Sequence, residues 1–262
     1  MICPMWRRIV RLSLVAAAAV LVILGGRMLL IFATNPAPQA SAGWTLHASI
    51  PHARGETAVA ALGSSIYVIG GLEGLAGTAA ATVDIYDASA DAWTDGPALP
   101  VARHHAAAAA IGSTIYLAGG SDDGWAAHAD VWRLDPAATA WTPVEPLPEP
   151  RYGHRMLAYE LKLYVVGGVG GTGSTLVYDP GSDTWTGLAS MPEQLDHVAA
   201  AVVRDELWVI GGRDSRGVHA SVRGQPASRP VGLLPAHAER LNEMAGDVGE
   251  SDKSEDSRRA GR

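Results

Sequence analysis

Cysteine occurs once, at Cys3, so no intramolecular disulfide can form. Helix signals are sparse between residues 44 and 212. Basic residues are scarce there too: 7 Lys or Arg stand against 19 acids, a net charge of −12. An acidic stretch of that size repels phosphate backbones and excludes nucleic acid as an expected partner. No G-x-S-x-G nucleophile elbow is present, although Ser, His and Asp are plentiful. What is abundant is glycine, at 30 residues, and proline, at 16, which favour turns over long helices. A chain of 262 residues is long enough to bury a full core.

The N-terminus reads as an export signal or membrane anchor. Arg7, Arg8 and Arg11 precede an apolar run from Leu12 to Ala33, counted through Arg27. That run of 22 residues suffices to span a bilayer, and its leading arginines should stay cytoplasmic. The expectation is a single-pass cell-membrane protein with the remainder outside the cytoplasm. The alternative is secretion after cleavage near Ala42, where "ASA" at 40–42 resembles a signal-peptidase site. Arg27 inside the run costs about 2.5–3.5 kcal/mol at mid-bilayer, which weighs against a lasting anchor. Residues 34–43, "TNPAPQASAG", form a linker.

One phrase recurs four times: "SIYVIGG" at 65–71, "TIYLAGG" at 114–120, "KLYVVGG" at 162–168 and "ELWVIGG" at 206–212. The second glycines, Gly71, Gly120, Gly168 and Gly212, step by 49, 48 and 44. So do Trp44, Trp93, Trp141 and Trp185. A fixed period near 50 with internal β patterning marks a propeller. Each unit reads as four strands. Strand a is a run of small apolar residues, such as "AAAAAI" at 106–111, and strand b is the recurring phrase. Strand c is "TVDIYD" at 82–87, "DVWRLD" at 130–135 and "TLVYD" at 175–179; strand d carries a Trp six residues after the Asp. Those rings should pack between adjacent blades, each burying about 150–250 Å².

Arg, an alanine-rich run, "IYVIGG", then "V-x-x-Y-D" and a Trp six residues on together resemble the kelch repeat, over residues 44–212. The resemblance implies an all-β propeller whose repeat is a scaffold and whose loops bind. Two departures stand out. The fourth unit is regular only to Gly212, since "GVHASVRG" at 217–224 lacks the Tyr-Asp pair and no Trp follows. Trp44 occupies a strand-d position with no repeat before it. Either a strand around "WTLHAS", 44–49, completes the last of four blades, or the propeller is incomplete. Residues 213–262 read as a degenerate last repeat and a disordered polar tail.

Several motifs have bland readings. "GVGGTG" at 168–173 matches a dinucleotide fingerprint, but "STLVYD" after it reads as a strand where a Rossmann site needs a helix. "SDDG" at 121–124 lacks the alternating oxygens of a calcium loop. His104 and His105 are adjacent and make a poor chelate, and a third ligand would have to come from another blade. Neither a metal nor a cofactor is expected.

The d–a loops before each strand a carry the candidate site. Arg54, Arg103 and Arg151 each lie 17 residues before the second glycine, with Leu195 in their place in the fourth unit. His105 and His197 follow that column by two residues, and His154 by three. The d–a and b–c loops should emerge on one face, where Arg54, Glu56, Arg103, His104, His105, Arg151, Tyr152, His154 and His197 are the candidate ligand-binding residues. Equal spacing also suits a purely structural arginine that bonds carbonyls of a neighbouring blade. The residues that differ between units, Glu56, His104, Tyr152 and His154, are then the better functional candidates. The expected function is a non-catalytic, extracytoplasmic module that binds a protein or an acidic glycan. The alternative is an exported kelch-type enzyme resembling a sialic acid mutarotase. Copper radical oxidases of the same resemblance need a cysteine near copper, and Cys3 precedes the apolar segment.

Overall fold

A computed structural model describes residues 43–227. The expected N-terminal membrane segment and the expected polar tail from 228 onward lie outside the described residues. The chain divides into two compact units, 1–47 and 48–262. In the first, the described residues carry no strand, and Trp44 is 79% exposed. Among the described residues no helix is long and apolar enough to cross a membrane.

The second unit is all β. The first sheet orders strands Ala58–Leu62, Ser65–Ile69, Val83–Asp87 and Ala92–Asp95. The second orders Ala107–Ile111, Thr114–Ala118, Val131–Leu134 and Thr142–Val144. The third orders Arg155–Tyr159, Lys162–Val166, Leu176–Asp179 and Thr184–Gly187. All pairings are antiparallel, and the strand spans follow the repeat. Residues 168–173, the dinucleotide-like motif, form a loop into a strand.

The fourth sheet corrects the sequence reading. Its third strand does form, at Val222–Pro226, pairing with Glu206–Ile210 beyond Gly212. It forms without the Tyr-Asp pair, whose tyrosine in the first and third units bonds forward to the entry of strand d. Tyr86 and Tyr178 donate to Asp91 and Asp183 at the entry of their d strands, at 2.7 and 2.6 Å. Among the described residues the fourth sheet has no strand d, and the strand that one of the two readings puts at 44–49 does not form.

The core lies between sheets. Ala58, Ile69 and Val83 of the first sheet meet Ile115, Leu117 and Trp132 of the second. Tyr116 and Ala118 meet Leu163, Val165 and Tyr178, and Tyr164 and Val166 meet Leu207 and Val209. Trp141 Nε1 donates to Pro97 O at 2.8 Å and Trp185 Nε1 to Glu145 O at 2.9 Å, tying each d strand to the preceding unit. Trp93 Nε1 makes the same bond to Ala48 O at 2.7 Å. Ala48 lies four residues after Trp44, as Pro97 follows Trp93 and Glu145 follows Trp141, so the repeat register begins at Trp44.

The glycine pair is where the next unit docks. Gly71 N donates to Arg103 O, Gly120 N to Arg151 O, and Gly168 N to Leu195 O, all at 2.8–2.9 Å. The first glycine of each pair has φ near +60 to +70°, and a Cβ on Gly119 or Gly167 would fall 2.5 or 2.7 Å from the incoming carbonyl oxygen. No side chain fits there.

Candidate functional site

The d–a and b–c loops pair with each other in every unit, so both lie at one end of the sheets. Arg54–Gly55 pairs with Leu72–Glu73, and single bridges join His104 to Ser121, Tyr152 to Val169 and Asp196 to Arg213.

The repeated arginines turn inward. Arg54 donates to Gly70 O at 2.7 Å and Val68 O at 2.8 Å and pairs with the fully buried Asp84. Arg103, 4% exposed, pairs with Asp130 at 2.8 Å. Arg151 is fully buried, donates to Ser174 O at 2.9 Å and meets Glu149 at 3.4 Å. Burial lowers its pKa from the usual arginine value, and Glu149 opposes that. These bonds are made within each arginine's own unit, not to a neighbouring one. An inward guanidinium closes its own b–c loop onto the sheet, and its charge is matched inside. His154 is also buried; burial first, then the Arg151 guanidinium, push its pKa down to about 3. Of the candidate ligand-binding residues, Arg103, Arg151 and His154 are therefore not presented to solvent.

What converges instead is the position two residues after the arginine column: Glu56, His105, Gly153 and His197. A chain of backbone bonds links them: His105 N to Glu56 O, Gly153 N to His105 O, and His197 N to Gly153 O, at 2.8–3.0 Å. All four have left-handed φ, between +50 and +66°. That conformation is uncommon outside glycine and is held here by the shared bonds. His105 Nε2 lies 3.3 Å from Glu56 Oε2, and His197 Nε2 lies 3.9 Å from the same oxygen. Burial lowers the His105 pKa, with Glu56 opposing. His197 is held by Asp196, which also binds Arg213 at 2.9 Å.

Over this cluster lies a residue that sequence reasoning missed. Trp125, in the second b–c loop, is 54% exposed. Its ring centroid stands 4.8 Å from His104, 5.2 Å from His105 and 6.0 Å from Tyr152. The signal available was a tryptophan outside the repeat register, in a loop of variable length. A groove of about 540 Å³ lies between the third and fourth units on the same face, lined in part by Gly170, Gln194, Asp196 and Arg216. Of the predicted residues, Glu56, His104, His105, Tyr152 and His197 thus surround one centre, while Arg54, Arg103, Arg151 and His154 support it from within.

The kelch motif model matches residues 53–100, 102–148 and 150–192, together more than half of the chain. Kelch-like protein 35 of Mus musculus is 36% identical over 93 residues, 34% of this chain and 16% of that protein. An F-box/kelch-repeat protein of Arabidopsis thaliana is 33% identical over 93 residues, 34% of this chain and 25% of that protein. Kelch-like protein 15 of Danio rerio is 42% identical over 69 residues, 22% of this chain and 11% of that protein. The matched stretches are thus a quarter or less of these relatives' lengths. With three matched motifs, four glycine pairs in register and the antiparallel sheets that they build, the chain belongs to the kelch-repeat family.

Proposed function

We propose that this chain is an extracytoplasmic protein-binding module, a kelch propeller of four sheets whose ligand docks on the face of the d–a and b–c loops. The observation that carries this is Trp125. A half-exposed indole edge-on to His104 and close to His105 and Tyr152 is a preorganised aromatic anchor, the residue class that dominates protein contacts. The neighbouring groove offers room for an extended segment of the partner. Fold alone assigns no partner, but the kelch relatives favour a protein ligand. An acidic glycan is a weaker reading, because the arginines meant to attract it are spent on Asp84, Asp130 and Glu149. The extracytoplasmic placement rests on Arg7, Arg8 and Arg11 ahead of the apolar run.

A photo-crosslinking residue at position 125 of the full chain, in intact cells, is expected to capture a discrete protein. The same residue at Ser113, in the a–b turn at the opposite end of the second sheet, is expected to capture nothing. Equal capture at both positions, or none at 125, contradicts the assignment of the face. Protease added to spheroplasts should digest the repeat region, and full protection would contradict the placement.

A further inference from the structure

We infer that Glu56, His105 and His197 form a binding site for a divalent transition-metal ion of the zinc type. The inference rests on geometry and is independent of the partner proposed above. The three side chains come from three different d–a loops, and their ligand atoms all lie within 4.8 Å of one another. Ligands 2.0–2.1 Å from a tetrahedral zinc stand about 3.4 Å apart. The distances of 3.3 and 3.9 Å from Glu56 Oε2 to the two imidazole nitrogens bracket that spacing.

The proton inventory points the same way. His104 Nε2 lies 2.9 Å from Asp122 O, a carbonyl that can only accept, so this nitrogen carries the proton. His104 Nδ1 lies 2.6 Å from His105 Nδ1, and in the tautomer in which His105 donates that bond His104 Nδ1 accepts it. His105 is left with a bare Nε2, and that lone pair faces the Glu56 carboxylate. Two electron-rich atoms at 3.3 Å repel each other unless a cation sits between them. His197 repeats the arrangement, since its Nδ1 bonds the Asp196 carboxylate and leaves Nε2 toward Glu56. A histidine whose second nitrogen donates to a fixed acceptor is oriented as metal-bound histidines are.

The backbone supports the site as well. The chain of bonds through Glu56, His105, Gly153 and His197 fixes the three loops before any ion arrives. Gly153, in the third unit, supplies no ligand. A Cβ there would press on His197 Cε1 at 3.2 Å. Two imidazoles and one carboxylate leave a fourth position to water, as in open zinc sites. One charge competes: Arg213 Nη2 lies 3.4 Å from His197 Nε2 and must give up that contact, while its Nε remains on Asp196. Among the described residues the other grouping of metal-binding type, His52, Asp84 and Asp95, does not qualify, because Arg54 already neutralises Asp84.

The test uses the full chain, stripped with a chelator and titrated with Zn²⁺ by calorimetry and with Co²⁺ by visible absorption. One equivalent of each is expected, with the intense bands of tetrahedral cobalt. Glu56→Gln and His197→Ala should each weaken binding more than tenfold, and Asp196→Asn by about 10–100-fold. Arg213→Ala should bind at least as tightly as the parent, and His128→Ala should be unchanged. The inference is overturned if no saturable binding occurs, or if Glu56→Gln binds like the parent. Glu56 is half exposed, so its substitution leaves the fold intact and keeps the test decisive.

Discussion

The inner and outer sheets of the repeat carry the same sequence pattern and meet different surroundings. Ile66, Ile115, Leu163 and Leu207 occupy one column of strand b. The last three are at most 1% exposed, whereas Ile66 is 37% exposed. In the opposite column Ile69, Ala118 and Val166 are at most 1% exposed, whereas Ile210 is 48% exposed. Ile66 faces away from the second sheet, and Ile210 faces away from the third. Burial in this molecule is therefore set by the neighbouring unit and not by the strand itself, as expected of a repeat whose units cannot bury their own faces.

Substitution can break that comparison. Ile115→Ala should cost about 2–5 kcal/mol in chemical denaturation, because it opens a cavity between two sheets. Ile66→Ala, in the same column, should cost less than about 1 kcal/mol, since the removed atoms were already half in water. Similar losses at both positions would mean that the outer face of the first sheet is covered.

Much of the scaffold was legible in the sequence. A period near 50 located the strands, because each glycine pair marks a place where only backbone fits. The third strand of the fourth sheet was not legible. The tyrosine that announces strand c in the first and third units bonds forward to the entry of strand d, and the fourth sheet has no strand d among the described residues. The second unit forms its strand d without that bond. It has Leu134 for the tyrosine and Thr139 in the place of Asp91 and Asp183, and the equivalent residue of the preceding unit is Pro97, which has no N–H to offer. The equivalent residues Ala48 and Glu145 do donate their N–H groups, to Asp91 and Asp183.

The candidate site was legible only in part. Spacing alone puts His105 and His197 in one column, but it does not reveal that this column closes around a centre, or that Glu56 completes it. The arginines were conspicuous because they repeat, and they repeat because every unit must tie its own b–c loop to its sheet. Trp125 was overlooked because it does not repeat. Its exposure depends on a left-handed turn after Gly124, with φ of +59° at the tryptophan itself.

The smallest expected difference is also the most direct test of the claim that each unit is completed by its successor. Gly119 and Gly211 occupy the same position in the second and fourth copies of the motif and share nearly the same backbone, with φ of +61° and +66°. A Cβ at Gly119 would lie 2.5 Å from Arg151 O of the next unit; at Gly211 its nearest neighbour is His219 O, 3.5 Å away. Alanine at either position incurs the left-handed penalty of about 1–2 kcal/mol, so that cost cancels in the comparison. The account predicts that Gly119→Ala lowers the unfolding free energy by about 1–3 kcal/mol more than Gly211→Ala, the cost of forcing extra volume against a docked backbone. Losses equal to within about 0.5 kcal/mol would contradict it and reduce the glycine pair to a matter of turn conformation alone.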